Sequence, residues 1–382
     1  MIKHRVLAAV AAASAMACVA ACGSSSDDDG DSRTSGSAGG GALQIKSSKT
    51  VGKTTGPNGE EAAPTSALSL TAGEIAKVKA GHHTAALTWH QASDFTTAVT
   101  AGARDAFAQL GISVVATTNA NFDPGKQKSD IETVLAKRPD VMLTLPVDPV
   151  TTASAYRDAQ RAGTKLVLLS NVPKGFVAGK DYVAVVTDDL FQMGKQAADA
   201  LAAAIGGKGE IAYFFHDASY YVTNQRDQAF KKTIEANYPD IEIVAEQGIA
   251  DPNKAQEQAN ATLVKNPELD GIYVTFSQPP AEGVLSALRT NGSGKAKLVS
   301  LDLDEPLALD MVRGGAVAAL VTDKAYELGR AMARAAAYGL LGKKAPPFVV
   351  APATTVTKAN VTEGYQASLH AAPPKSVVDA AK

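Results

Sequence analysis

The chain has only two cysteines in 382 residues, Cys18 and Cys22, both near its start. A disulfide framework is excluded, as are a thiol nucleophile and a cysteine-built metal site in the remainder. Charge of one sign is also missing: 37 basic against 39 acidic residues leave a net charge of −2, with no basic excess for a nucleic-acid face. Apart from Val6 to Ala20, no apolar run approaches a membrane span, and that one is short for the task. The marks of several enzyme classes are absent as well. There is no Gly-x-Ser-x-Gly elbow and no His-Glu-x-x-His pair. In "GGKGEIAYFF" the glycines precede a strand, whereas a dinucleotide-binding turn needs them after one. Gly52-Lys53-Thr54 ends like a phosphate-binding loop, but Ser47 stands where its first glycine belongs. His82, His83 and His90 have no carboxylate at a spacing that completes a metal site. No cofactor is expected, and the chain is read as a binding protein rather than an enzyme.

What is present begins with an export signal. Lys3, His4 and Arg5 give a positive start, followed by the apolar stretch and then Val19-Ala20-Ala21-Cys22-Gly23. That ending resembles a bacterial lipobox, which implies removal of residues 1–21 and lipidation of Cys22. Each buried lipid methylene contributes about 0.8 kcal/mol, so more than one acyl chain gives a stable membrane anchor. Residues 22–70, with "GSSSDDDGDSRTSGSAGGG", have little to bury and read as a flexible tether.

Order is expected from Thr71-Ala72-Gly73-Glu74, a capping box that opens a short helix over 71–81. Beyond it, short apolar runs rich in β-branched residues alternate with helical patterns, for example 84–89, then 97–110, then 113–118. This alternation predicts an α/β fold of parallel sheets covered on both faces. Some three hundred residues exceed one compact core and point to two Rossmann-like lobes. An internal echo supports this. "FDPGKQKSDIETVLAKRPDVMLTLPVDP" and "ADPNKAQEQANATLVKNPELDGIYVTFSQPP" match Asp123 with Asp251, Asp140 with Asp270 and, roughly, Pro149 with Pro280. Ligands of open α/β sheets bind beyond the carboxyl ends of the strands, so two facing lobes make a cleft for a small molecule. The single tryptophan, Trp89, falls at such a strand end.

From about His83 to Gly364 the chain resembles the type I periplasmic sugar-binding proteins of ABC transporters, the class of ribose-binding protein and LacI-type effector domains. The stretches that carry the likeness run in order: "TAGARDAFAQLGISVV", "KRPDVMLTLPVDP", "VVTDDLFQMGKQAADAL", "QRDQAFKKTIEANYP", "PELDGIYVT" and "LVSLDLDEPLALDMVRGG". The resemblance implies lobes of 82–186 with 324–350 and of 187–323 with 351–382, and hinges near Thr187, Asp323 and Val350. It also implies a monomer that closes on a small polyhydroxylated ligand and presents it to ABC permease subunits on the extracytoplasmic face of the membrane. A furanone-type signal, as in the autoinducer-2 branch, or a chemosensory role is the alternative.

Site residues follow from the same likeness. Phe95 would be an aromatic platform and Asp94 a hydroxyl acceptor, with Trp89 a stacking wall and His90 beside it. Asp302 keeps the family's hydroxyl-accepting aspartate. Asn171 and Asn224 stand where relatives carry arginine, Gln278 falls in the family's Asn-Asp position, and Asp323 replaces a glutamine near the hinge. Loss of both familiar arginines implies an acidic, amide-rich site. Tyr220 and Tyr221 lie within reach of the cleft.

Overall fold

The computed structural model describes residues 42–292 and 295–382. The export signal, Cys22 and the first part of the tether lie outside these residues. The remainder of the segment read as a tether is corrected by the structure, because residues 42–70 are seated on the fold. Leu43 and Ile45 pack on a core cluster of the second lobe, and Ser47 Oγ accepts from Lys195 Nζ at 2.9 Å. Thr54 Oγ1 accepts from the Phe191 N–H at 2.8 Å, and the Tyr221 hydroxyl donates to the Thr55 carbonyl. A two-residue strand, β1 (Ala63–Pro64), then joins the first lobe's sheet, and Leu68 is buried in its core. Glycine- and serine-rich composition concealed these contacts, since they are made by scattered single residues.

The capping box forms as drawn: Thr71 accepts from the Glu74 N–H and Glu74 reaches back, opening α1 (Ala72–Ala80). The first lobe continues with β2 (Thr84–Trp89), α2 (Asp94–Leu110), β3 (Ser113–Asn119), α3 (Pro124–Leu135), β4 (Val141–Thr144), α4 (Ala153–Arg161), β5 (Lys165–Leu169) and β6 (Ala184–Asp188). The chain then crosses into the second lobe, with α5 (Leu190–Ala204), β7 (Gly209–His216), α6 (Tyr221–Asn237), β8 (Ile241–Ile249), α7 (Ala255–Lys265), β9 (Gly271–Val274), α8 (Glu282–Asn291), β10 (Lys297–Leu301), α9 (Glu305–Val312) and β11 (Val317–Thr322). It returns through α10 (Ala325–Leu340) and β12 (Phe348–Ala351), and crosses a third time to β13 (Thr354–Val356), α11 (Val361–Leu369) and α12 (Lys375–Ala380). Among the described residues the sheets run β1-β12-β6-β5-β4-β2-β3 and β13-β11-β10-β9-β7-β8, parallel throughout except for the β11–β13 pair.

The sequence echo has a physical basis. Asp140 precedes β4 and its carboxylate accepts from the Thr84 N–H at the start of β2, at 2.8 Å. Asp270 precedes β9 and does the same for the Glu210 N–H in β7, at 3.0 Å. Asp123 and Asp251 each accept from backbone N–H groups just after a proline, at the start of α3 and of the 3-10 turn before α7. Both lobes therefore use one aspartate to align neighbouring strands and another to open the next helix.

Helix packing is equally close in both. A Cβ on Gly102 would sit 1.9 Å from the Tyr326 carbonyl oxygen, so α2 meets α10 backbone to side. In the second lobe a Cβ on Gly194 would sit 2.1 Å from the Arg226 carbonyl oxygen, which presses α5 against α6. Only glycine permits such approaches.

Candidate functional site

The strand ends of the two lobes face each other across a narrow cavity. From the first lobe come His90, Gln91, Ser93 and Phe95 after β2, Phe122 after β3, Leu145 after β4 and Ser170 after β5. The second lobe supplies Tyr220, Val222, Thr223 and Arg226 around the start of α6, Phe276 to Gln278 after β9, and Asp302 and Leu303 after β10. Asp188, at the first crossing, completes the wall. The lobes are closed on one another. Gln91 Nε2 donates to the Gln278 carbonyl at 3.3 Å, the Val222 N–H donates to Asn171 Oδ1 at 3.1 Å, and the rings of Phe122 and Phe276 are 5.9 Å apart.

Ser170 and Asp302 occupy equivalent places, each just past a strand, with φ of 58° and 69°. Their N–H groups bond the Val186 and Val321 carbonyls, each at 2.9 Å, so the neighbouring strand holds both residues in the left-handed region. Such backbone strain is held where the surroundings over-determine it, and here it turns both residues into the cleft.

The predicted residues divide into those that line the cavity and those that do not. His90, Phe95, Gln278 and Asp302 line it. Trp89 does not: it is 3% exposed in the first lobe's own core, and its Nε1 donates to Thr100 Oγ1 at 2.8 Å. Strand alternation explains the correction, because Trp89 shares its face of β2 with Ala85 and Leu87 in the core cluster beneath α2 and α10. Asn224 is also corrected. Its Oδ1 accepts from the Tyr220 N–H at 2.8 Å and so ties down the start of α6, while Arg226 takes the cleft position. An arginine therefore does line the cavity, two residues beyond the position read from the likeness.

Asn171 is buried between the Pro146 carbonyl and the Val222 N–H, spending its amide on the junction of the lobes. Asp94 lies outside the wall, exposed at the start of α2. Its carboxyl is held above the usual range by partial burial and then by Glu305, against the pull of the Glu305 N–H. Asp323 is buried behind the wall at the second crossing.

Electrostatics in the cavity centre on Arg226, 5% exposed, whose Nη1 bonds Asp302 Oδ1 at 3.0 Å. Burial, then Arg226, then His216 lower the His90 pKa to about 3, and burial, then Arg226, lower that of His216 to about 4. Both rings are neutral at neutral pH. Burial raises the carboxyls of Asp188 and Asp323; Asp302 adds to both, Asp189 to the first and Asp188 to the second, and Arg226 opposes each. Four buried side-chain atoms of the wall have no hydrogen-bond partner among the described residues: His90 Nδ1, Asp188 Oδ1, Tyr220 Oη and Arg226 Nε. Each costs about 1–3 kcal/mol while unsatisfied, which is tolerable only at a site that something else completes. No cluster of three or more His, Cys, Asp or Glu side chains among the described residues is placed to hold a metal ion.

Sequence reasoning missed Arg226, Phe122, Phe276, Ser170 and Asp188 as wall residues. Arg226 was legible from helix geometry: with α6 starting at Tyr221, residues 222, 223 and 226 share one face.

A profile of the periplasmic binding protein domain matches residues 85–344. The chain belongs to the periplasmic binding protein family. Its relatives in that family include the ABC transporter periplasmic-binding protein YphF of Escherichia coli, 22% identical over 236 residues, which are 60% of this chain and 72% of the relative. They also include the ribose import binding protein RbsB of Bacillus subtilis, 24% identical over 235 residues, 61% of this chain and 74% of that one. Among solved structures, an ABC transporter solute-binding protein from Agrobacterium vitis, bound to α-D-tagatopyranose, superposes with a TM-score of 0.67. It is 25% identical, and the match covers 74% of this chain and 96% of that one. This is the type I periplasmic binding protein fold, and the cavity between the lobes is that fold's binding cleft. Periplasmic binding proteins work outside the cytoplasm, and no helix among the described residues is long and apolar enough to cross a membrane.

Proposed function

We propose that this protein is the solute-binding component of an ABC importer, capturing a small sugar or polyol between its lobes and presenting the closed form to the permease. The observation that carries the reading is the set of four unpartnered polar atoms, contributed by both lobes and the first crossing, on a wall that also carries aromatic rings. A polyol ring offers both complements, hydroxyls for the polar atoms and C–H faces for Phe95, Phe122, Tyr220 and Phe276. The ligands named for the relatives, ribose and α-D-tagatopyranose, favour a sugar over a furanone-type signal. Lipidation at Cys22 would hold the protein at the membrane as a monomer beside its permease, which fits the lipobox-like segment.

The test is isothermal calorimetry of residues 42–382 with aldoses, ketoses and polyols. Binding at micromolar concentration, about −8 kcal/mol, with loss of heat in Arg226→Ala supports the reading. Saturable binding by no sugar or polyol overturns it. Trp89 fluorescence is expected to change little on binding, because the indole is bonded to Thr100 inside one lobe.

A further inference from the structure

Two carboxyl groups line the cavity against one base. Asp188 and Asp302 line the cavity, and among the described residues Arg226 is the only lysine or arginine that does. Arg226 is committed: Nη1 bonds Asp302 Oδ1 at 3.0 Å. Asp188 is 3% exposed and its Oδ1 has no partner. The charged side chains acting on it are Arg226, Asp302 and Asp189, two acids against one base already paired. The lysine that follows, Lys324, supplies Asp188 with a backbone N–H and not its ammonium. Neither histidine adds charge, since both are held neutral.

Burial pushes the Asp188 carboxyl up to about 8, so at neutral pH it holds a proton unless a cation lies beside it. The rest of the wall favours a cation. Phe95, Phe122, Tyr220 and Phe276 line the space with aromatic rings, whose negative quadrupoles attract an ammonium group more strongly than a neutral hydroxyl.

We propose that the cleft selects polyhydroxylated ligands bearing a protonated amine, amino sugars or aminopolyols, with the ammonium received by Asp188 and the aromatic walls. The proposal rests on the sugar-binding function above and narrows its ligand class. Hydroxyls then fall to Asp302, Arg226 and His90, while the amine supplies the missing positive charge.

Calorimetry with matched pairs tests it: D-glucosamine against D-glucose, D-galactosamine against D-galactose, and D-mannosamine against D-mannose, with each N-acetyl derivative as the uncharged control. The expected result is at least one amine bound roughly tenfold or more tighter than both its parent and its N-acetyl form. Asp188→Asn should abolish that preference, with circular dichroism reporting that the variant is folded. Neutral sugars binding as tightly as their amines, or a preference that survives Asp188→Asn, overturn the inference and leave sugar binding standing. No binding in any series overturns both.

Discussion

Removal of the Arg226 guanidinium is the most informative single perturbation of the cleft. The side chain is 6% exposed and its partner Asp302 17%, at 3.0 Å, so the pair is largely out of water. Deleting one member of a buried pair costs about 3–5 kcal/mol, because the remaining charge is stranded. Here the stranding is worse than usual, since Arg226 is also the positive neighbour of Asp188, Asp227 and Asp323. Arg226→Ala should therefore lower the stability of the ligand-free protein by about 3–5 kcal/mol, a large part of the roughly 5–15 kcal/mol of a typical fold. Asp302→Asn added to it should restore about half, as one of the stranded carboxylates is neutralised. Urea denaturation followed by circular dichroism at neutral pH measures both. Ligand affinity should fall roughly ten- to a hundredfold in either variant, the worth of a charged hydrogen bond. A loss in Arg226→Ala below about 1 kcal/mol, or a double variant no better than the single one, would refute the claim that charge compensation around Arg226 holds the cleft together.

Three further outcomes are expected. The depressed pKa values of His90 and His216, about 3 and about 4, mean that the fold favours the neutral rings. Their contribution is complete above the ordinary value near 6.5 and is lost as the pH falls, about 2 kcal/mol per ring between pH 6.5 and 5. The raised carboxyls of Asp188, Asp227 and Asp304 work in the opposite direction, so the comparison must be with His90→Asn, whose stability gap to the parent should narrow on acidification; a constant gap would contradict the assignment. Gly194→Ala places a Cβ against the Arg226 carbonyl and should cost about 1–3 kcal/mol and weaken ligand binding, because α6 carries Arg226 and Thr223. Gly73→Ala, which meets nothing within 4 Å, should do neither. Lys195→Ala should destabilise by about 3–5 kcal/mol without changing affinity, since its pair with Asp199 is 1–2% exposed and lies away from the cavity wall.

Much of this fold was legible because its signals are periodic. Strands such as 84–89 and 165–169 announced themselves as short apolar runs, and the Asp-Pro and pre-strand aspartates recur because each lobe needs the same backbone donors satisfied. The site was legible where a side chain follows directly from a strand end, as with His90, Phe95 and Asp302. It was misread where one residue of register decides the direction. Trp89 and His90 are adjacent, yet strand alternation sends one into the lobe and the next into the cleft. Alignment by likeness placed the arginine position at Asn224, whereas the helical face of α6 places it at Arg226. Phe122 and Phe276 belong to loops whose paths no periodicity describes, and only the meeting of the two lobes makes them neighbours.

The segment from Leu43 to Leu68 has a mechanical consequence. Its first part is fastened to α5 and α6 by Ser47, Ser48, Lys49 and Thr55, and its later part to β12 through Ala63 and Pro64. Thr54 is pinned between, at the first crossing, by Asp189 and Phe191. From Thr55 to Ala63 the chain advances eight residues (63 − 55), which when fully drawn out reach about 27 Å. The two lobes are thus on a leash. Beside the three crossings, this segment ties the lobes a fourth time, and separating them by more than its reach would strip its fastenings on one side.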